Sequence, residues 1–573
     1  MKSNYKMSAT KLEKLSSKEI GKPVIGVFAT CDPRIDSDSR VRASNIVKMV
    51  ANAISGKVTM PDHSPVKVVF TDVLVDGEKQ ADEVAEQFKA AGVNVIICAP
   101  DTWAFPQLTV MSLLSHFDAD TPFNFTTGNS GPRPGVVFTH ATNGALAQTG
   151  RLSHINVGSW PDTGLEPEMT DDTRDALIDW CYAAITYQGL KGRRVVVFGH
   201  DSMGMETALP HVGATRTSFG LEITRLDMKL LSDMLQKKSY DGSELKKLRS
   251  WLEENAQSIE LPDSVDSDTL DQSLALYLIV RDLMKDLNAV GGGFMSQLEW
   301  GSDARGIPLP VADIMESLFN STFDHNGPKE VIPYATEADV QALLTQLFMT
   351  WLSGGNPPLF MDFRKVWESK EVKNLCDQLG VPVKGDEDWI QKGFVDGVNS
   401  GSASFDWAAM PGTSSREIMK KISFPKAVEY FSYLGNSIHF KSPGGIEGLA
   451  ARLAYSSVSG MFSMVWDEAS TVLPPEKLAQ AICDTANPTW PHTFVVPKHA
   501  SMLEYKQYAP ANHFHMTWGL KRSRLQYWMD FANVLSVTPW GDKPTFDEKA
   551  DRPLPLLYLL NGGEDQTKLF RKK

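Results

Sequence analysis

The sequence has no run of eighteen apolar residues, so we expect no membrane-spanning helix. Its first nineteen residues are polar and lack the apolar core of a signal peptide. The five cysteines are odd in number, scattered over 573 residues and without the spacing of a metal site. This pattern argues against a disulfide framework and a cysteine zinc site, and it favours a reducing compartment. We therefore expect a cytoplasmic protein.

Nucleotide-binding motifs are missing as well. The apolar run at 194–198 leads into a glycine-bearing turn, but the GxGxxG spacing is absent and no P-loop lysine follows. The sequence therefore predicts neither an NAD site nor an ATP site. A formal net charge of -13 disfavours a nucleic-acid-binding surface. We expect no nucleic-acid partner and no membrane partner.

Strand-like and helix-like segments alternate through the first two thirds of the chain. Apolar runs at 22–28, 66–74, 93–98 and 135–138 predict strands, and helical patterns such as 81–90 separate them. This alternation predicts a doubly wound parallel sheet. Beyond about residue 370, short apolar runs between Gly, Pro and Ser predict a largely antiparallel β domain. The predicted fold class is α/β, with two doubly wound, mainly parallel domains at 1–190 and 191–370 and a C-terminal β-rich domain at 371–573.

The stretch 323–367 contains two acidic residues in a suggestive pattern. A short apolar run at 331–335 predicts a strand and is followed by Glu337, then by a helical pattern at 338–352. The next apolar run, 359–361, leads to Asp362. Parallel strands joined by a helix can lie side by side, and ligands in such sheets bind beyond the carboxyl ends. Two carboxylates there could share a divalent metal ion, a proton-transfer task or both, although an acid after a strand can equally be a helix cap, a role that suits Asp339 better.

Several motifs resemble the L-fucose isomerase family. They include NSTFDHNG from Asn320, ATE before the helix and FMDFRKVW from Phe360, and further matches follow at 399–403, 429–431, 489–491 and 511–513. Their order and spacing extend the resemblance over nearly the whole chain. The resemblance implies an aldose–ketose isomerase in which Glu337 and Asp362 bind a catalytic Mn²⁺ and transfer protons. It also implies a homo-oligomer, a hexamer.

A third metal ligand is expected in the segment 509–516, which contains His513 and His515. If this segment is extended, both side chains point to one face. Manganese prefers oxygen ligands and also accepts an imidazole, with Mg²⁺ and Co²⁺ as alternatives. The resemblance implies that His513 is the metal ligand, and His515 is the alternative. It also implies that Asn512 is a partner for a sugar hydroxyl.

The resemblance also implies sugar contacts at Arg34, Trp103 and Gln297. Arg40 and Arg42, in the same predicted loop as Arg34, are expected to be solvated. Two positions depart from the family pattern. Asn436 stands where the family has a tyrosine, and Phe494 where it has a tryptophan. The sugar-facing wall is therefore predicted to be altered. We expect either an L-fucose-type sugar or a hexose that is modified or more polar near C6.

The expected reaction converts an open-chain aldose to a ketose through an enediol. A metal ion would polarise the carbonyl, and the two carboxylates would move the protons, in an order that the sequence leaves open. Two other readings remain: a non-catalytic sugar-binding or regulatory protein, and a metal-dependent aldolase or hydrolase.

Overall fold

A computed structural model describes residues 20–161, 163–200, 203–260, 268–296, 300–302, 306, 309–382, 387–399, 403–427 and 435–538. The chain forms two compact units. The smaller unit contains Ile20–Lys191 together with Lys521–Leu535. The larger unit contains Gly192–Leu520, and the chain returns to it at Ser536.

The smaller unit is built on a five-stranded parallel sheet in the order β2-β1-β3-β4-β5. Its first and third strands are short apolar runs whose residues are all buried, as expected for the inner strands of a parallel sheet. The strands are β1 Val24–Phe28, β2 Lys67–Phe70, β3 Val95–Cys98, β4 Phe123–Gly128 and β5 His154–Gly158. The helices that accompany them are α1 Ser37–Ile54, α2 Glu78–Ala91, α3 Val110–Leu114, α4 Gly135–Gln148 and α5 Asp171–Leu190.

The strand predicted at 135–138 is wrong, because these residues begin helix α4. A Cβ at Gly135 would lie 2.6 Å from both the carbonyl oxygen of Pro100 and the Oγ1 of Thr127, so only glycine fits there. The fourth strand is instead β4, whose six residues are all buried. Asn and Thr alternate with Phe in this strand, and that polarity hid it from a search for apolar runs.

The larger unit begins with a four-stranded parallel sheet in the order β12-β9-β6-β7. Its strands and the small pairings beside it are β6 Arg194–Phe198, β7 Glu222–Leu226, β8 Ser258–Ile259, β9 Ala289–Phe294, β10 Phe323–Asp324, β11 Gly327–Pro328 and β12 Tyr334–Ala335. The helices of this region are α6 Val212–Phe219, α7 Met228–Gln236, α8 Gly242–Asn255, α9 Asp268–Asp286, α10 Asp313–Asn320 and α11 Val340–Leu352.

A second sheet of the larger unit is antiparallel and closes on itself. Its strands are β13 Leu359–Glu368, β14 Gly393–Val398, β16 Glu447–Ser456, β17 Met461–Val472, β18 His492–Pro497, β19 His513–Trp518 and β20 Leu535–Val537, while β15 Ser423–Phe424 pairs with β8. The order is β16-β19-β13-β14-β18-β17-β20, and β16 also pairs with β17. Six strands therefore form a closed barrel, which removes exposed strand edges. The accompanying helices are α12 Ser369–Leu379, α13 Asp388–Lys392, α14 Ser415–Met419, α15 Glu476–Ala486 and α16 Met502–Tyr508.

These sheets confirm the predicted fold class of mainly parallel α/β regions followed by a largely antiparallel β region. The expectation that the strands before Glu337 and Asp362 lie side by side in one parallel sheet is wrong. Strand β12 pairs with β9, whereas β13 pairs with β14 and β19 in the barrel. Helix α11 thus connects two different sheets.

The last described helix, α17 Arg522–Ala532, returns to the smaller unit. There Arg524 Nε donates to Asp179 of α5 at 2.8 Å, and His154 Nε2 lies 3.0 Å from Asp530 Oδ2. Across the residues that the structure describes, none of the helices has the length and apolar character needed to cross a membrane.

Candidate metal and proton-transfer site

Glu337 lies directly beyond the carboxyl end of β12, in a strained turn. Its φ is 56°, and that of Ala338 is 51°, both in the left-handed region. This conformation costs roughly 1–2 kcal/mol for a residue with a side chain, and such strain clusters at functional sites. Helix α11 begins only afterwards, with Asp339 as its N-cap accepting from the Ala342 amide at 2.8 Å. The cap is therefore provided by Asp339, as the sequence predicts, and not by Glu337.

Asp362 and His513 are held opposite each other by the barrel. They form a directly opposed pair on the neighbouring antiparallel strands β13 and β19, and such pairs bring side chains close together. Asn512 precedes His513, and its side chain is hydrogen-bonded to Asp362. Its carbonyl also accepts from the Phe363 amide at 2.9 Å. Asp362 and His513, which are 151 positions apart in sequence, are thus brought together by strand pairing.

The imidazole of His513 has a carboxylate beside each of its nitrogens. Nε2 lies 3.3 Å from Glu337 Oε2, and Nδ1 lies 2.7 Å from Asp339 Oδ2. All three side chains are buried. Glu337 at the end of the parallel sheet and His513 of the barrel therefore meet in one site, with Asp362 opposite His513.

The charges of this site shift its pKa values in opposite directions. Burial raises the pKa of Asp362, and the charge of Glu337 adds to that rise, while His513 and the hydrogen bond from Asn512 oppose it. Burial alone would lower the pKa of His513, but Asp339 and Glu337 outweigh it and raise the pKa to about 9. Burial likewise opposes ionisation of Asp339, yet Arg452 and His513 hold the pKa of that carboxyl well below its usual range. Asp339, which accepts from His513 Nδ1, is therefore ionised. Asp362 is a stronger base than an ordinary aspartate.

His515 has different surroundings. Its ring contacts Phe360 with centroids 5.0 Å apart, and His513 contacts the same ring at 4.6 Å, in keeping with one shared face of β19. Burial lowers the pKa of His515 well below its usual value. Because Glu337 and Asp339 lie against His513, the geometry favours His513 over His515 as the ligand.

The donor atoms suit a divalent cation, although they are not gathered around one point. Nε2 of His513 is buried and faces Glu337 Oε2 at 3.3 Å, while Nδ1 is occupied by Asp339. One imidazole nitrogen and two carboxylates match the ligand preference of Mn²⁺. Within the described ranges, however, no three His, Cys, Asp or Glu side chains are arranged to hold a metal ion. The residue types therefore fit the cation, whereas the closed coordination geometry is not preformed.

Among the predicted sugar-contacting residues that the structure describes in the larger unit, Asn512 is adjacent to this site. Asn436 is fully buried, and its Nδ2 donates to the carbonyls of Glu260 at 2.6 Å and Phe424 at 2.9 Å. Phe494 is fully buried too, in a core cluster where its ring meets Phe394 at 5.3 Å. These contacts favour structural roles for Asn436 and Phe494, and their part in a sugar-facing wall stays a prediction.

The other predicted sugar contacts lie either in the smaller unit or outside the described residues. Gln297 lies outside the described residues. Arg34 and Trp103 belong to the smaller unit, where Arg34 pairs with Asp32 at 2.6 Å and Trp103 packs edge-on against Phe138. Their roles in sugar binding stay predictions.

The solvated reading of Arg42 is wrong. Arg42 lies in α1, fully buried, with Nε 3.0 Å from Asp101 Oδ2 and further bonds to three main-chain carbonyls. Its position in the first turns of a helix points the side chain inwards, which a loop reading could not anticipate. Arg40 in the same helix is partly exposed and pairs with Asp76 at 2.9 Å.

Sequence reasoning missed Arg452 and one role of Asp339. Asp339 was expected to cap α11, and it does, but it also binds His513 and Arg452. The signal for Arg452 was present, because a single charged residue in the apolar run GLAARLAY is unusual for a buried strand. Nothing local pointed to its partner, which lies 113 residues away.

Comparison with known proteins identifies matching domains along the chain. A family model for the first N-terminal domain of L-fucose isomerase matches residues 22–192, and one for the second N-terminal domain matches residues 193–354. The chain is 24% identical over 515 residues to L-fucose isomerase from Vibrio vulnificus (strain YJ016). The aligned region covers 83% of this chain and 85% of that protein. It is 24% identical over 524 residues to L-fucose isomerase from Citrobacter koseri, which covers 84% of this chain and 86% of that protein.

Proposed function

Because the chain belongs to the L-fucose isomerase family, we propose that it is a metal-dependent aldose–ketose isomerase whose reaction centre contains Glu337, Asp362 and His513. The relatives it matches are isomerases by name. One observation carries the assignment to these residues. The parallel sheet and the barrel bring Glu337 within 3.3 Å of His513, which lies opposite Asp362.

The two carboxylates would carry the protons between C1 and C2 of the open-chain sugar. One takes the proton from C2, the C–H electron pair forms the C1–C2 double bond, and the carbonyl oxygen gains a proton. The enediol then loses the proton on O2 and gains one at C1, which gives the ketose. Burial raises the pKa of Asp362, and a base whose pKa lies closer to neutrality is better suited to abstract a carbon-bound proton.

His513, Glu337 and Asp362 would hold the metal ion. When bound, Mn²⁺ would supply Lewis-acid polarisation of the sugar carbonyl and a template for two adjacent oxygens. Nε2 of His513 is the imidazole nitrogen available to it, since Nδ1 is bound to Asp339. Asn512, hydrogen-bonded to Asp362, would orient that carboxylate and offer its amide to a sugar hydroxyl.

The substrate would be an L-fucose-type aldose, or a hexose that is modified or more polar near C6. The names of the relatives support L-fucose, whereas Asn436 and Phe494 differ from the family pattern. We also propose a homo-oligomer of six chains. Light scattering on a size-exclusion column measures the mass directly, and a mass of about one chain would contradict this part of the proposal.

The function is tested by incubating the purified protein and Mn²⁺ with a panel of aldoses that includes L-fucose and D-arabinose, followed by NMR of the products. These two sugars share the configuration at C2 to C4 and differ by the terminal methyl group, so their ratio reports on the distal pocket. A ketose isomer of at least one aldose supports the proposal. Cleaved products would instead indicate an aldolase or hydrolase, and binding without turnover a sugar-binding protein.

A further inference from the structure

Arg452 is a fully buried cation that pairs with Asp339, the carboxylate bound to His513 Nδ1. It lies in the barrel strand β16, with its side chain 1% exposed. Nη1 donates to Asp339 Oδ2 at 2.9 Å, and Nη2 donates to Asp339 Oδ1 at 3.1 Å. Nη2 also donates to the carbonyl of Thr207 at 2.7 Å. This two-pronged contact is the geometry that guanidinium and carboxylate groups favour, and it fixes the plane of both groups.

Asp339 receives four hydrogen bonds. Oδ1 accepts from the Ala342 amide at 2.8 Å as well as from Arg452, and Oδ2 accepts from Arg452 and from His513 Nδ1 at 2.7 Å. The helix start and the guanidinium therefore leave this carboxylate little rotational freedom. Because Oδ2 is held in place, it determines where the imidazole of His513 can lie.

The burial of this ion pair calls for a reason other than stability. Removing two charges from water costs several kcal/mol for each ion, and well-packed apolar side chains often stabilise a core equally well. In metal sites, by contrast, a carboxylate that accepts from the second nitrogen of a ligand histidine orients the ring and raises its basicity. The hydrogen-bonded series Arg452–Asp339–His513 has this arrangement, and Nε2 of His513 faces Glu337.

We propose that Asp339 and Arg452 are positioning residues that lock the His513 imidazole with Nε2 towards the metal position. This inference rests on the proposed function, and it adds two residues that the family resemblance did not assign. Arg452 acts through Asp339, and Asp339 acts through His513. Arg452 also donates to the carbonyl of Thr207, in the segment that follows β6 of the parallel sheet. The hydrogen-bond series that positions His513 is therefore anchored in the parallel-sheet region as well as in the barrel.

The test measures Mn²⁺ binding by the loss of the free-ion electron paramagnetic resonance signal, with wild-type protein and four variants. Asp339→Asn keeps a good helix cap but loses the charge. Arg452→Met removes the guanidinium at similar length, and Arg452→Lys restores a cation without the planar fork. Thr345→Val is the matched control, because it removes another buried bond between α11 and β16, from the Leu453 amide to Thr345 Oγ1 at 2.9 Å, without touching His513.

We expect Asp339→Asn and Arg452→Met each to raise the Kd for Mn²⁺ by about 10- to 100-fold. Arg452→Lys should recover part of the loss, and Thr345→Val should bind Mn²⁺ as the wild type does. Near-wild-type affinity in Asp339→Asn and in the Arg452 variants would overturn the positioning role, as would an equal loss in Thr345→Val. If Arg452→Met does not fold, Asp339→Asn and Arg452→Lys decide the matter. Wild-type protein that binds no Mn²⁺ would contradict the proposed metal function itself, which is a different result from normal binding in every variant.

Discussion

At the scale of single residues, Glu337 is an acid held in a strained backbone conformation. Two successive residues with side chains, Glu337 and Ala338, are held in the left-handed region between a strand and a helix. A chain that needed only a turn would place glycine there. The strain is therefore consistent with a demand on the position of the Glu337 carboxylate, and the neighbouring cap on Asp339 fixes where the helix begins.

Glu337→Gln and Asp362→Asn test the proton-transfer role. Each change keeps the size of the side chain and its oxygen atom but removes the capacity to take up a proton. We expect kcat to fall by at least about 10²-fold in each variant, the lower end of what general acid–base groups contribute. Circular dichroism should show an unchanged fold. Near-wild-type turnover by either variant would remove that acid from the mechanism.

Asn436 provides a test between a structural and a sugar-facing role. Its amide supports two main-chain carbonyls in a fully buried position. Asn436→Ala should lower the free energy of unfolding by about 1–3 kcal/mol, the cost of unsatisfied buried groups. The ratio of kcat/KM for L-fucose and D-arabinose should stay constant. A change of about tenfold or more in that ratio, without a loss of stability, would instead support the sugar-facing reading.

At the scale of elements, the sequence predicts strands and helices better than it predicts their partners. The run before Glu337, helix α11 and the run before Asp362 all occur near their expected places. Their periodicity is local, so it can be read from the sequence. The pairing of β13 with β19 joins segments about 150 residues apart, and no local pattern encodes it. For the same reason, His513, the histidine proposed as a metal ligand, was identified by resemblance and not by spacing.

The pairing of β14 with β18 contains a buried charge pair that makes stability depend on pH. His492 Nδ1 lies 2.9 Å from Asp396 Oδ1, and Nε2 is 2.9 Å from the carbonyl oxygen of Asn487. Burial lowers the pKa of His492, but Asp396 and then Cys483 outweigh it and raise the pKa to about 10. The folded state therefore holds this proton more tightly than the unfolded chain, whose histidine pKa is about 6.5.

The contribution of His492 to stability should be complete below about pH 6.5 and should be lost as the pH rises towards 10. The slope is at most about 1.4 kcal/mol for each pH unit. Urea unfolding at several pH values should show the wild type losing its advantage over His492→Gln across this window. An advantage that stays constant from pH 6 to pH 9.5 would show that the pair is not charged in the folded state.

At the scale of the whole molecule, composition and resemblance predict an α/β protein of the isomerase family. They do not predict which segments join each compact unit or how the barrel closes. Helix α17 returns from the barrel region of the sequence to the smaller unit, where Arg524 binds Asp179. The closing of six strands into a barrel also depends on β16 pairing with both β17 and β19. Neither feature has a sequence signature, because turn residues and apolar runs specify elements and not ring closure.

Removal of bound metal should inactivate the protein reversibly. Treatment with a chelator followed by buffer exchange should abolish turnover of the preferred aldose, and Mn²⁺ should restore it. The melting temperature should rise with Mn²⁺ concentration, because a ligand that binds the folded state stabilises it. Full activity in a sample shown by elemental analysis to be free of metal would exclude the ion from the reaction.

The most direct test of the central claim is proton exchange at the reacting carbons. The Mn²⁺-loaded protein is incubated in D₂O with the aldose that it converts best, and the product is analysed by NMR. If Glu337 and Asp362 move protons through an enediol, the ketose should carry deuterium at C1, and Glu337→Gln and Asp362→Asn should form labelled product at least about 10²-fold more slowly. A ketose formed at the wild-type rate without deuterium at C1, or labelled product formed by both variants at near the wild-type rate, would contradict the account.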